Sequence, residues 1–226
     1  MLLQGAGQAL CVWQQRTEAI YFLDVGQGDG ILIRSPDGRN IVIDGGSTSQ
    51  SKCGTYTLLP ALRSQGMTEI DCWFVTHTDE DHISGLKELL LQGKLTQIKV
   101  RTVVFSAYVF QDAALAELEA VIRAAGITIV WMREGDVIGD DTFTLTCLHP
   151  TAEYRAKDKN AASLALAYHS DTFDMLFTGD MDADAVADMD IQQDYDCIKL
   201  PHHGSKYSYV ELSLIHISEP TRHLRI

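Results

Sequence analysis

Residues 75–85 read VTHTDEDHISG and continue an apolar run, DCWF, at 71–74. The stretch gathers two histidines, two aspartates and a glutamate where a buried strand is predicted to end. His77 and Asp79 are two residues apart, so in an extended loop both side chains point the same way. Asp81 and His82 are predicted to open the following helix. Imidazole and carboxylate donors at this spacing suit divalent metal ions, and the alternative is a solvated acidic turn with an Asp N-cap.

Three other strand-like runs also end in residues that bind metals. They are IVIDGG with Asp44, MLFTGD with Asp180, and CIKLPHHGS with His202 and His203. Asp180 could bridge two metal ions, or it could simply stabilise a turn. An adjacent His pair cannot share one strand face, so one ring is predicted to bind metal. The other is predicted to contact substrate or to transfer a proton.

The order of predicted elements indicates a layered α/β domain. Three antiparallel strands joined by turns are predicted at AIYFLDV, GILIRS and NIVIDGG. The second turn contains the sequence Pro36-Asp37-Gly38, which is typical of tight turns. Helices are predicted over 55–66, 82–93 and 112–126, the last with Asp112 as N-cap and Gly126 as the stop. Short β-rich runs fill the second half. The sequence therefore predicts two sheets inside and helices outside, in one domain.

Composition excludes some functions. The 226 residues carry a net charge of −13, which disfavours a general nucleic-acid coat protein, because phosphate binding needs clustered Lys and Arg. Contact with phosphate through metal ions stays open. No signal peptide is predicted, and no apolar run reaches the ~18 residues of a membrane span, so the chain as given is expected to be soluble. Five scattered cysteines predict buried thiols and no disulfide framework.

The motifs together resemble a known family. THTDEDHISG, LFTGD and LPHHGS, in that order, resemble the metal-binding motifs of the metallo-β-lactamase fold. FLDVGQGDGILI followed by NIVIDGG is similar to the hydrolase domain of ComEC, the DNA-uptake channel of competent bacteria, and GTYTLLPALRSQG and NAASLAL also fit. The resemblance covers roughly residues 20–210. It implies an αβ/βα sandwich of two mixed β-sheets with outer helices, two divalent metal ions, and degradation of the non-transported DNA strand.

The resemblance also implies a role for each motif residue. One metal would be bound by His77, Asp79, Asp180 and Asn160. The other would be bound by Asp81, His82, Asp180 and His203. The predicted catalytic residues are Asp81 and His202, with His202 beside the scissile phosphate. Asp44 would support the ligand loop from outside the ligand set. Asp24, Gln27 and Asp29 lie near the site by resemblance, and the alternative for them is turn stabilisation.

Two positions depart from the broader superfamily pattern. HxHxDH has become HxDxDH, with Asp79 at the second imidazole position, and Asn160 stands where the third motif has a histidine. His149 in CLHP is a rival for that place. Fewer imidazoles and more oxygen ligands make a harder site, so Mn²⁺ is favoured over Zn²⁺, the alternative cofactor.

The predicted boundaries are a lead-in at 1–19, an incomplete metallo-β-lactamase-like domain at 20–212, and a non-native tail at 213–226 whose histidines, His216 and His223, are not predicted ligands.

By resemblance, the partners are single-stranded DNA as substrate and the membrane-channel part of the same intact protein, with no stable protein partner. The expected location is the extracytoplasmic face of the cytoplasmic membrane, although scattered cysteines fit a reducing compartment better. Lys199, Lys206 and the run RAKDK at 155–159 could contact phosphate.

Two alternative functions stay open at this point. The first is a free-standing hydrolase of the same fold that acts on another phosphodiester or on a lactone. The second is a non-catalytic DNA-binding module, which the departures at Asp79 and Asn160 favour.

Overall fold

The computed structural model describes residues 17–189, 191, 194–205 and 208. The chain divides into two compact units, of which the first ends at Met132 and the second begins at Arg133. Residues 1–16 of the predicted lead-in, the whole predicted tail and Lys206 lie outside the described residues. The predicted domain boundaries therefore stay predictions.

The first unit contains a six-stranded mixed sheet in the order β1 to β6. The strands are β1 (Ala19–Phe22), β2 (Gly30–Arg34), β3 (Asn40–Asp44), β4 (Glu69–Phe74), β5 (Lys99–Ser106) and β6 (Thr128–Met132). The first three pair antiparallel, as predicted, and β3 to β6 pair parallel. Only short loops separate the antiparallel strands, whereas each parallel pair is joined by a helical crossover.

Three helices form those crossovers. They are α1 (Leu59–Ser64), which continues a π-helical turn at Gly54–Leu58, α2 (Glu80–Gln92) and α3 (Ala113–Ala124). In α3 the Asp112 carboxylate accepts a hydrogen bond from the Leu115 backbone nitrogen at 2.9 Å, which confirms the predicted N-cap. Within the part of the chain that the structure describes, no helix has both the length and the apolarity needed to cross a bilayer.

The core of the first unit lies between the three helices and one face of the sheet. Leu62 of α1, Leu86 of α2 and Leu118 of α3 are buried in one cluster with Trp73 and Phe105 of the sheet. β2 is buried at all five of its residues. β3 is buried at four of its five residues, so β2 and β3 carry nearly continuous apolar runs.

The second unit contains a five-stranded mixed sheet in the order β11-β10-β9-β8-β7. The strands are β7 (Val137–Gly139), β8 (Phe143–His149), β9 (Ala165–Ser170), β10 (Asp174–Phe177) and β11 (Cys197–Lys199). Among the described strands of this unit, only β10 and β11 pair parallel, and the short helix α4 (Ala183–Asp188) connects them. The sequence did not predict β7, a three-residue strand that is mostly exposed. The prediction of two mixed β-sheets with helices is confirmed.

Four of the five cysteines lie in the described residues and are thiols. Burial raises the pKa of Cys147 to about 12 and that of Cys72 to about 11. Because the thiolate is the reactive form, these side chains act as small apolar residues, as predicted.

A core truncation tests the helix packing in the first unit. Leu118→Ala is expected to lower the free energy of unfolding by about 2–5 kcal/mol, because it leaves a cavity under α3. The matched control is Leu95→Ala, whose side chain is 82% exposed and which should cost less than about 0.5 kcal/mol. Urea unfolding of both variants gives the comparison, and equal losses would contradict the packing.

Candidate metal centre

Asp44 is the buried acid at the end of β3. Its backbone has a positive φ of 56°, and the residue is 1% exposed. Its carboxylate accepts three hydrogen bonds, from the Thr76 backbone nitrogen at 2.8 Å, the Thr76 hydroxyl at 2.7 Å and His82 Nδ1 at 2.9 Å. One side chain therefore ties the end of β3 to the loop after β4 and to the first turn of α2.

The bond to Asp44 defines the state of the His82 ring. An ionised carboxylate only accepts hydrogen bonds, so Nδ1 of the fully buried His82 is the donor. The lone pair of the neutral ring then lies on Nε2, the nitrogen that a metal ion would bind. A carboxylate behind an imidazole is the usual second partner of a metal-binding histidine.

His77 and Asp79 lie together before α2. His77 is 1% exposed, and its Nε2 is 3.7 Å from Asp79 Oδ2. The rings of His77 and His82 have centroids 4.0 Å apart. Asp79 occupies the N-cap position in an extended conformation, but its carboxylate does not cap the helix. Two ligands about 2.1 Å from one ion at the tetrahedral angle lie about 3.4 Å apart, so this spacing fits a shared metal.

Glycines let three backbone segments meet at the start of α2. The Asp29 nitrogen donates to the Asp81 carbonyl at 3.1 Å, and the Gly46 nitrogen donates to the Asp29 carbonyl at 3.1 Å. A Cβ on Gly46 would lie 2.5 Å from the Glu80 carbonyl oxygen and 2.6 Å from the His82 nitrogen. The glycines of DVGQGD and IDGG thus permit the close approach that places Asp81 and His82.

Asp24, Gln27 and Asp29 of DVGQGD each contact a neighbouring residue in the structure. Asp24 Oδ1 accepts from the Gly26 nitrogen at 3.2 Å, which is the turn contact given as the alternative. The Gln27 nitrogen donates to the Ser49 hydroxyl at 2.8 Å. Asp29 Oδ2 lies 3.9 Å from His82 Nδ1, and ligand atoms of Asp29, Asp44 and His82 lie within 4.8 Å of one another. Because Nδ1 already donates to Asp44, we interpret this trio as support for His82.

In the second unit, Asp180 is the buried acid that follows β10. Its Oδ2 lies 3.3 Å from His203 Nε2, and its Oδ1 lies 3.3 Å from Lys199 Nζ. Its backbone nitrogen donates to the Ser163 hydroxyl at 3.2 Å. The spacing between Asp180 Oδ2 and His203 Nε2 again suits two ligands of one ion.

His202 and His203 lie in a turn that follows β11. Both have positive φ, 48° and 54°, and their ring centroids are 6.1 Å apart. The His202 backbone nitrogen donates to the Gly179 carbonyl at 3.2 Å, while the His203 ring lies beside Asp180. The two histidines therefore lie in a left-handed turn rather than on a strand, so strand alternation does not set the directions of their rings.

Asn160 and His149, the two rivals for one ligand position, differ in the structure. Asn160 lies in the turn that contains Ser163, and its carbonyl accepts from the Ser163 nitrogen at 3.0 Å. His149 is fully buried, its Nε2 lies 3.0 Å from the Ala161 carbonyl oxygen, and its ring packs on Tyr154. His149 is therefore a core residue rather than a ligand in this arrangement.

Three of the basic residues that could contact phosphate have protein partners in the structure. Lys199 is buried and donates to the Gly179 carbonyl at 2.7 Å. Arg155 donates to the Ala152 carbonyl at 2.9 Å, and Lys157 pairs with Asp182 at 2.5 Å. Sequence reasoning missed Thr76 and Ser163, because a hydroxyl beside a motif carries no signal by itself.

Comparison with known proteins identifies the class. A family model described as the metallo-beta-lactamase superfamily matches residues 23–152, more than half of the chain. The chain belongs to this superfamily and has its hydrolase fold, which confirms the predicted fold class. Members of this fold typically bind divalent metal ions, and the His and Asp donors described above fit such ions chemically.

A particular relative is similar over most of the chain. ComE operon protein 3 of Bacillus subtilis (strain 168) is 31% identical over 202 residues, which are 82% of this chain and 25% of that protein. The chain thus spans about a quarter of that relative's length. The similarity supports the ComEC-type metallo-β-lactamase domain that the motifs indicated.

Two solved structures are also similar to part of this chain. The metallo-beta-lactamase fold protein YhfI from Bacillus subtilis is 15% identical, with a TM-score of 0.49 over 76% of this chain and 62% of that one. Zn²⁺-bound PqqB from Methylobacterium extorquens is 14% identical, with a TM-score of 0.42 over 69% of this chain and 53% of that one.

Asp44→Asn tests the support of His82. Both carboxylate oxygens of Asp44 accept hydrogen bonds, whereas the NH₂ group of an asparagine cannot accept one, so Mn²⁺ affinity is expected to fall about 10–100-fold. Calorimetric titration of metal-free protein measures it. Asp24→Asn is the matched control, since an amide oxygen can accept from the Gly26 nitrogen equally well. Equal affinity in wild type and Asp44→Asn would contradict the role of Asp44.

His149 should make stability depend on pH. Burial lowers the pKa of His149 below its ordinary value of 6.5. Below that pH the unfolded chain takes up a proton that the folded chain resists, so stability is lost as pH falls. Relative to His149→Gln, wild type should lose unfolding free energy between about pH 7 and pH 5. Denaturant melts across this range check it, and parallel curves would contradict it.

Proposed function

We propose that this protein is a metal-dependent phosphodiesterase that cleaves single-stranded DNA, with two divalent metal ions as cofactors and Mn²⁺ favoured over Zn²⁺. The observation that carries the proposal is the hydrogen bond from His82 Nδ1 to the buried Asp44 carboxylate. It prepares a ligand nitrogen within the HTDEDH motif, in a chain that belongs to a hydrolase superfamily.

The proposed ligands follow the motif resemblance. One ion would be bound by His77, Asp79, Asn160 and Asp180, and the other by Asp81, His82, Asp180 and His203. Local geometry supports two ligand pairs, His77 with Asp79 and Asp180 with His203, at 3.7 and 3.3 Å. When bound, two such ions lower the pKa of a water molecule and stabilise the leaving oxygen of a phosphodiester.

The chain's own residues have distinct tasks in this proposal. Asp44 orients His82, and the glycine contacts hold Asp81 at the start of α2. His202 would lie beside the scissile phosphate, as the motif resemblance implies, and its imidazole could donate a proton there. The preference for Mn²⁺ follows from the oxygen-rich donor set, which is harder than one made of imidazoles and thiolates.

The biological setting is proposed from the relation to a ComE operon protein. The substrate would be the DNA strand that is not transported during uptake, at the extracytoplasmic face of the cytoplasmic membrane. The membrane-channel part of the same intact protein would be the partner, with no other stable protein partner. The motifs DVGQGD and IDGG, which carry the ComEC resemblance, also form the glycine contacts around α2.

A cleavage assay tests the proposal. Single-stranded DNA is incubated with protein and Mn²⁺, Mg²⁺, Zn²⁺ or a chelator. We expect Mn²⁺-dependent cleavage that the chelator abolishes and that Asp81→Ala lowers at least about 100-fold. Asp141→Ala, which changes an exposed acid outside the motifs, is the matched control and should retain activity.

Each other outcome points to a different function. Cleavage that persists after exhaustive chelation would contradict the two-metal mechanism. Metal-dependent hydrolysis of a lactone or of another phosphodiester, without DNA cleavage, would indicate the free-standing hydrolase. Binding of DNA without any turnover, unchanged in Asp81→Ala, would indicate the non-catalytic module.

A further inference from the structure

Lys199 is a buried cation at the end of β11. It pairs in register with Phe177 of the neighbouring β10, and its side chain is 8% exposed. Nζ donates to the Gly179 carbonyl at 2.7 Å and to Asp180 Oδ1 at 3.3 Å. The Thr178 hydroxyl donates to the Lys199 carbonyl at 2.7 Å, which closes the contact from the other side. A lysine this deeply buried is rare unless a charge partner accompanies it.

Asp180 supplies that partner and is itself buried. Its side chain is 4% exposed, and a carboxylate removed from water is strongly destabilising without a counter-charge. Its two oxygens face different neighbours, Oδ1 facing Lys199 and Oδ2 facing His203. The ammonium therefore occupies one side of the carboxylate and leaves Oδ2 as the oxygen nearest to a proposed ligand.

We propose that Lys199 is the resident counter-ion of Asp180: it offsets the carboxylate charge in the metal-free protein and lowers the affinity of that carboxylate for divalent cations. The effect on metal affinity rests on the proposed metal role of Asp180, whereas the charge compensation in the metal-free protein does not. Lys199 is thus a positioning residue that sets how strongly the site binds metal.

The sign of the effect on metal affinity follows from linkage. Without metal, loss of the ammonium removes the positive charge that lies 3.3 Å from Asp180 Oδ1. With metal bound, the divalent ion compensates the same carboxylate, so the loss costs less. A change that destabilises the metal-free state more than the bound state must tighten metal binding by the same difference.

A double-mutant cycle in chelator tests the counter-ion. Lys199→Met in the full chain should lower the midpoint of thermal unfolding by roughly 6–12 °C, because one member of a buried ion pair is lost. The same change in an Asp180→Asn background should lower it by no more than about 2 °C. Lys199→Arg, which keeps the charge, should recover most of the loss. Equal losses in both backgrounds would show a packing role and overturn the proposal.

Two further results are decisive if Lys199→Met does not fold without metal. A folded Lys199→Met/Asp180→Asn double variant would support the counter-ion, since removal of both charges then restores folding. If Asp180→Asn folds but the double variant does not, the loss of Lys199 is harmful without Asp180 as well, and the proposal is overturned.

Metal titration measures Mn²⁺ affinity, which a mere packing role of Lys199 would not raise. Lys199→Met is expected to bind Mn²⁺ at least about fivefold more tightly than wild type in calorimetric titration. Equal or weaker binding would overturn the effect on affinity. If wild type binds no Mn²⁺, the proposed metal-dependent function fails, and the thermal cycle in chelator still judges the counter-ion by itself.

Discussion

The hydrogen bonds of the Asp44 carboxylate are the constraint on which the first unit's site depends. A buried acid is tolerated because three donors surround it, two from Thr76 and one from His82. Those donors come from the loop after β4 and from α2, so the bonds join three segments. The glycines at 28 and 46 have no side chain where these segments meet, and a Cβ at either would clash with backbone.

The two units stabilise their buried acids in different ways. In the first unit, Asp44 is stabilised by three hydrogen bonds, one of them from the His82 imidazole. In the second unit, Asp180 has an ammonium at 3.3 Å. The difference agrees with the proposed roles: the supporting role proposed for Asp44 needs permanent donors, whereas the ligand role proposed for Asp180 would require its ammonium partner to be exchanged for a metal ion. In a chain of net charge −13, such compensation lets acids gather without unfolding the structure.

Local sequence patterns predicted much of the fold. The Asp112 cap and the apolar spacing of α3 fixed that helix, because both act within a few residues. The antiparallel β1 to β3 followed from short turns between apolar runs. The prediction failed for β7, where three mostly exposed residues carry no hydrophobic period. The sequence also did not indicate the burial of Lys199, whose inward direction depends on the neighbouring strand and not on its own segment.

The sequence by itself determined which residue types stand at the strand ends and that His77 and Asp79 share a side, since that spacing is local. Only the tertiary structure decided which side chain each buried acid contacts. Asp44 and His82 are 38 positions apart, and Lys199 and Asp180 are 19 apart. Such pairs depend on strand register and on turns with positive φ, which bring distant side chains within hydrogen-bonding distance and which no local pattern specifies.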